Sequence, residues 1–301
     1  MSTLSAVPIR RTLGDTDIEV SSIAWGMWRF HGDDLRAARA LVDAAFDAGI
    51  TLFDTADIYG VDQGGFGAAE LLLGRLFAAD RELRSRMVLA TKGGIVLGVP
   101  YDSSPDYLGA AIDISLKRLQ VEQIDLWQVH RPDILTHPQE VARAMEDAQK
   151  AGKVRAFGVS NHTVDQIEAL QAALPFALVS SQPELSPFRI DPIENGELDQ
   201  AMRRNLAVLA WSPLGGGRIS QAGTPREQAV IDELDRIAAQ FAVSRAAVAY
   251  SWIMAHPARP IPIVGSQQPH RIAEAADAFK VVWTRTDWYK VFVAAKGAPL
   301  P

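Results

Sequence analysis

Residues 22–54 read SIAWGMWRFHGDDLRAARALVDAAFDAGITLFD. A short apolar run, Ser22–Trp25, is followed by a segment over Leu35–Ala48 in which Leu35, Ala38, Leu41, Val42, Ala45 and Phe46 fall on one helical face. Gly49 then supplies a stop, and a second apolar run, Thr51–Asp54, begins. A strand, a crossover helix and a strand in this order make a parallel βαβ unit. In an open doubly wound sheet that binds a dinucleotide, the first strand leads into a Gly-x-Gly-x-x-Gly turn. Here it leads into Gly26-Met27-Trp28, and the glycine run Gly215-Gly216-Gly217 lacks that spacing. A closed barrel is the better reading.

The alternation continues along the chain. Further strands are expected at Met87–Thr91, Ile124–His130, Val154–Val159, Leu178–Gln182, Ala207–Trp211 and Pro260–Val264. Helical spacing marks Glu70–Ala79, Asp106–Leu119, Pro138–Ala151, Thr163–Ala173 and Gly196–Arg204, and two helices, near Arg226–Phe241 and Arg245–Ala255, separate the last two strands. Ser104 and Thr163 stand where N-caps belong, and Gly152 where a helix ends. Ahead of all this, Arg10–Val20 reads as two short strands around a Gly14-Asp15 turn. The prediction is an α/β chain folded as a (β/α)8 TIM barrel. No Pro/Ser-rich linker or shift of composition interrupts it, so residues 1–301 are read as one domain.

Composition narrows the function. The 301 residues carry a net charge of −6 with acids and bases interspersed, and no basic stripe that would recruit nucleic acid or an anionic membrane. There is no cysteine, which removes disulfides, thiolate nucleophiles and cysteine-ligated metals. No apolar run approaches the ~20 residues needed to span a bilayer, and the opening MSTLSAVPIRR lacks the apolar core of a secretory signal. A cytoplasmic enzyme or binding protein, monomeric or weakly self-associating, is expected.

In a (β/α)8 barrel the chemistry gathers at the C-terminal ends of the strands. Strand two ends in Phe53-Asp54-Thr55-Ala56-Asp57-Ile58-Tyr59-Gly60, strand three in Thr91-Lys92-Gly93-Gly94, strand four in Gln128-Val129-His130-Arg131-Pro132. Taken singly, Asp54 can cap a turn, Tyr59 can pack a loop, Lys92 can be solvated and His130 can be structural. Together they suit carbonyl reduction. Hydride addition to a carbonyl leaves an alkoxide that needs a proton at that moment. A tyrosine can give it, although an ordinary phenol pKa of about 10 makes the phenolate costly. Lys92 would stabilise that phenolate, Asp54 would keep Lys92 charged, and His130 would orient the substrate carbonyl.

These residues, and the segments Gly158-Val159-Ser160-Asn161-His162 and Trp211-Ser212-Pro213-Leu214-Gly215, resemble the aldo-keto reductase family over essentially the whole chain. The stretch His130-Arg131-Pro132-Asp133 is similar to a bacterial branch of it. The resemblance implies that the N-terminal hairpin closes the barrel bottom and that Asp54, Tyr59, Lys92 and His130 are the catalytic tetrad. It also implies an NADPH/NADP+ cofactor held without a dinucleotide-binding turn. Ser160, Asn161 and Gln182 would bind the carboxamide and Trp211 would stack on the nicotinamide. Gly26 and Met27 would border the cofactor. Ser212, Pro213, Leu214, Gly215, Gly217 and Arg218 would approach the pyrophosphate. Gly265, Ser266 and Arg271 would hold the 2′-phosphate end, with Glu274 on the adenine. Ala275 stands where the family commonly has asparagine, and Gln267-Gln268 where a basic residue is frequent, so NADH is expected to be partly accepted. Trp28, Phe30 and Tyr101, with Met27 and His31 near them, would line an open substrate pocket that takes a small carbonyl or alcohol.

Two other readings compete. A non-catalytic, NADPH-retaining barrel like the channel β-subunits of this family would keep the tetrad, but this chain has no long N-terminal extension for a partner. A metal-dependent barrel hydrolase would need convergent ligands such as His-x-His after the first strand; the six histidines form no such pair, and no metal is expected. The direction of the reaction, reduction or alcohol oxidation, is open at this level.

Overall fold

In the computed structural model, which describes residues 3–301, an antiparallel pair comes first, β1 (Arg10–Thr12) and β2 (Glu19–Ser21). It is followed by β3 (Ala24–Gly26), α1 (Leu35–Asp47), β4 (Leu52–Asp54), α2 (Ala68–Ala79) and β5 (Val88–Gly93). A second antiparallel pair, β6 (Ile95–Val96) and β7 (Val99–Tyr101), leads into α3 (Pro105–Leu119), β8 (Ile124–Val129), α4 (Pro138–Lys150), β9 (Val154–Ser160) and α5 (Val164–Ala173). The rest comprises β10 (Ser180–Gln182), α6 (Asp191–Glu194), α7 (Glu197–Arg204), β11 (Ala207–Ala210), α8 (Pro225–Phe241), α9 (Arg245–Met254), β12 (Ile261–Val264), α10 (Pro269–Ala273) and α11 (Arg285–Lys296).

Strands β3, β4, β5, β8, β9, β10, β11 and β12 pair in that order, all parallel, and β12 pairs back to β3. The alternation of side chains along each strand sorts two cores. Trp25, Phe53, Leu89, Trp127, Phe157 and Val208 face outward into the helix layer. Ala24, Leu52, Ala90, Leu126, Ala156, Leu209 and Ile261 fill the barrel interior. Leu13, Ile18 and Val20 from the N-terminal hairpin join that interior cluster, all nearly inaccessible, so the hairpin does seal the N-terminal end of the strands. Two residues further along each strand, the inward positions become polar: Asp54 after Leu52, Lys92 after Ala90, Gln128 after Leu126. One barrel thus has an apolar floor and a polar mouth.

The predicted caps are present: Thr163 and Gln166 form a capping box on α5, and Ser104 accepts from Tyr107 N on α3. Gly152 takes φ +71° after α4. Two segments differ from the sequence reading. The loop after β5 carries the β6–β7 pair, and the tail after Val282, where no helix was expected, forms α11, which packs on α8 at the barrel's side.

Candidate active site

At the mouth, Lys92 is fully enclosed, and its ammonium donates to Asp54 Oδ2 at 2.6 Å and to Thr55 O at 2.9 Å. Register explains the meeting: Asp54 pairs with Ala90 on the adjacent strand, one inward position below Lys92. The other carboxylate oxygen, Oδ1, accepts from Gln182 Nε2 at 3.0 Å and from Gln128 Nε2 at 3.5 Å. Both carboxylate oxygens of Asp54 therefore accept, which keeps a buried ion pair from being a liability. Gly158 is needed in this layer. A side chain there would collide with Ser180 on β10, whose hydroxyl donates to Gln128 Oε1 at 3.3 Å.

Tyr59 lies on the loop after β4. Lys92 Nζ is 5.0 Å from its ring centroid, and the rings of His130 and Trp28 stand edge-on to it at 5.8 Å and 5.0 Å. Asp54, Tyr59, Lys92 and His130 thus come together from three neighbouring strands. Burial opposes the charge of Lys92, but Asp54 and then Tyr59 more than offset it, and the ammonium is held more firmly than usual. Burial pushes the Tyr59 phenol up; Lys92 pulls it down and Asp54 pushes it up again, and it ends above its ordinary value. The sequence reading had Lys92 set the balance. The ammonium does act in that direction, yet enclosure outweighs it. Burial, reinforced by Lys92 and Arg131, drives His130 well below the usual histidine range, so its imidazole is neutral at pH 7. The enclosure therefore holds a protonated phenol, a charged ammonium and a neutral imidazole, three donors suited to charge developing on one oxygen.

Around this constellation the proposed cofactor contacts form a connected set. Asn161, at φ +58°, donates to Ser160 Oγ at 2.7 Å and accepts from Trp211 Nε1 at 2.9 Å, which fixes the indole. Ser160 in turn donates to Gln182 O at 3.0 Å. After β11, Ser212 takes φ +47°, and Gly216 and Gly217, also at positive φ, have open space where side chains would be. After β12, both polar atoms of the Gln267 side chain are enclosed with no partner, and Arg271 is exposed and paired with no carboxylate among the described residues. An orphaned amide, an unpaired guanidinium and an open glycine run fit a phosphorylated dinucleotide laid across these loops. Arg218 is less free: it donates to Gly215 O at 2.7 Å, lies over Phe188 and sits 3.6 Å from Glu184. Ser266 and Glu274 lie on the same surface, with Ser266 O accepting from Trp25 Nε1 at 3.0 Å.

On the substrate side, Trp28 is 52% exposed beside Tyr59. Phe30 is not in the pocket: it is 1% exposed and packs edge-on against Trp25 in the helix-facing core. Met27 is likewise enclosed in that core, so only its backbone can border a ligand, and Gly26 lies close against Ile263. Tyr101 is on β7, exposed at the rim. Sequence reasoning missed Gln128, whose only signal was its inward parity with Lys92 and Asp54. It also missed Arg131, whose guanidinium lies 5.5 Å over Trp211. A third omission is the buried pair Asp57 and Glu70 behind the Tyr59 ring, where half-buried Arg118 reaches Glu70 at 3.4 Å and Asp57 O at 3.5 Å.

Residues 22–292 match the Aldo/keto reductase family. The chain is 59% identical over 304 residues, covering 100% of both sequences, to a protein named 6-dehydroglucose reductase from Novosphingobium aromaticivorans. It is 35% identical over 293 residues, 93% of this chain and 96% of the relative, to a 6-dehydroglucose reductase from Agrobacterium fabrum. Among solved structures, the glycerol dehydrogenase AKR11B4 from Gluconobacter oxydans has a TM-score of 0.82 at 27% identity, covering 99% of this chain and 97% of that one.

Proposed function

The chain belongs to the aldo/keto reductase family, and on that premise we propose that it reduces the aldehyde of an oxidised sugar, of the 6-dehydroglucose class, with NADPH. The enclosed constellation of Lys92, Asp54, Tyr59 and His130 carries the reading. Full-length similarity to a protein named for that reaction supports the substrate class. So does the half-exposed indole of Trp28 beside Tyr59, an amphipathic face against which a sugar ring can pack while its hydroxyls stay hydrated.

When bound, NADPH supplies the hydride that turns the carbonyl carbon into an alcohol. Ser160, Asn161 and Gln182 would hold the carboxamide, Trp211 the ring, the Ser212–Gly217 loop the pyrophosphate, and Ser266 with Arg271 the 2′-phosphate. Neutral His130 hydrogen-bonds the carbonyl oxygen and fixes its position. Tyr59 gives its hydroxyl proton to that oxygen as charge develops there. The phenolate left behind is stabilised by Lys92, which Asp54 keeps charged and in place. Protonation from solvent then restores Tyr59. Enclosure of all four groups keeps competing water out.

The test is NADPH consumption with 6-dehydroglucose, compared with glyceraldehyde and 4-nitrobenzaldehyde. A kcat/KM for the sugar at least ~10-fold above both supports the substrate class. Equal values for all three remove that class but leave the reductase; no turnover of any aldehyde removes the reading altogether.

A further inference from the structure

A groove of about 720 Å³ runs along α11 at the barrel's side. Its wall is formed by the N-terminal segment, the turn before β12, α11 and the C-terminal residues. The floor is apolar and aromatic, with Val7, Met254, Trp288 and Phe292. The rim carries Arg259 and Arg285, both exposed. Neither arginine has a carboxylate within 4.0 Å among the described residues.

The backbone adds to this. Arg259 takes φ +48°, a left-handed conformation that an L-residue other than glycine adopts under strain. Arg11, half-buried on β1, donates to Arg259 O at 2.5 Å, which holds its guanidinium against the same turn, with no carboxylate within 4.0 Å among the described residues. Burial and the neighbouring Arg259 charge both work against Arg11 remaining protonated. A strained turn that presents a cation, a second cation locked beside it and a third across an aromatic groove have one common remedy, an anion.

We propose that this groove binds a small amphipathic anion, an aromatic or acyl carboxylate or sulfonate, with its apolar body on Trp288 and Phe292 and its acid group at Arg259 and Arg285. The volume falls in the range of small-molecule sites. Guanidinium groups pair with carboxylate and sulfonate oxygens in planar, two-point geometry. No residue of its lining belongs to the reductase mouth, and it does not depend on the reaction assigned there.

The probe is 1-anilinonaphthalene-8-sulfonate, followed by its fluorescence on the full-length protein, with decanoate as competitor. Saturable binding displaced by decanoate is expected. The pair Arg259→Gly and Arg285→Gln should weaken binding by about tenfold or more, as expected when charge-assisted hydrogen bonds are lost. Glycine at position 259 relieves the backbone, so thermal midpoint and aldehyde reduction should be unchanged; Arg285→Gln alone is the fallback and should weaken binding by a smaller factor. The proposal is overturned if the double variant binds as tightly as the parent chain. It is also overturned if uncharged 1-anilinonaphthalene binds equally well, or if Trp28→Ala, at the mouth, abolishes the signal while the arginine variants do not.

Discussion

A phenol enclosed beside an ammonium is pulled two ways, and at Tyr59 enclosure wins. The resting state is a proton donor, which favours reduction and leaves oxidation, where a phenolate must accept a proton, to high pH. The kcat for reduction should be level from pH 6 to 9, because the folded-state pKa lies above its ordinary value of about 10, and fall only beyond that. Oxidation should rise over the same range. A reduction profile that falls with a midpoint near 7 would transfer the donor role to another group. Tyr59→Phe should cut kcat by ~10²–10⁴ while the NADPH dissociation constant, read by fluorescence quenching, stays within about twofold. Behind the same loop, Asp57 is buried with both carboxyl oxygens unpartnered, and burial, then Glu70, drive it well above the carboxylate range. A carboxyl raised in the folded state favours folding below its unfolded pKa of about 4 and loses that contribution as pH rises. Asp57→Asn should therefore melt higher than the parent chain at pH 8, by ~2 °C or more, with the gap closing toward pH 4. A lower melting point at pH 8 would mean that the ionised carboxylate is used.

Elements were legible in the sequence to the degree that one physical signal governed them. The eight barrel strands are short, but helices with clear spacing separate them, so alternation gave their order and the residues at their C-terminal ends gave the tetrad. Strand ends moved by at most two residues; Leu178–Gln182, for example, is paired only over Ser180–Gln182. The β6–β7 pair escaped because its strands are two and three residues long, carry Pro100 and bury almost nothing. Helix α11 was legible and passed over: Trp288, Val291, Phe292 and Ala295 recur at helical spacing behind the Thr284 cap. Phe30 was placed in the pocket as an aromatic near Trp28, and nearness in sequence says nothing about direction once the chain has left a strand. The loop after β12 offers the sharpest test at this scale. Arg271 has no protein partner to lose, so Arg271→Ala should leave stability alone, raise KM for NADPH by ~10-fold and leave KM for NADH nearly unchanged. An equal rise for both cofactors would place Arg271 away from the 2′-phosphate.

The whole molecule divides along the barrel axis. The apolar interior layer, closed by Leu13, Ile18 and Val20, contains no group with chemistry to do, and the polar layer above it contains little that packs. Stability and reactivity should then be separable by substitution. Leu13→Ala removes a fully enclosed side chain from a cluster built by strands all round the barrel, and should cost ~2–5 kcal/mol in denaturant unfolding. It should leave kcat/KM intact, since the hairpin touches no residue of the mouth. Tyr59→Phe should do the reverse. With no shared contact partners, the two changes should combine additively, the double variant carrying the sum of the two unfolding free energies to within ~0.5 kcal/mol. A Leu13→Ala chain whose kcat falls along with its stability would mean that the interior layer transmits hairpin packing to the Asp54–Lys92 pair, directly through Leu52 and Ala90, each two residues below its charged partner. The barrel would then act as one cooperative unit instead of a floor and a mouth.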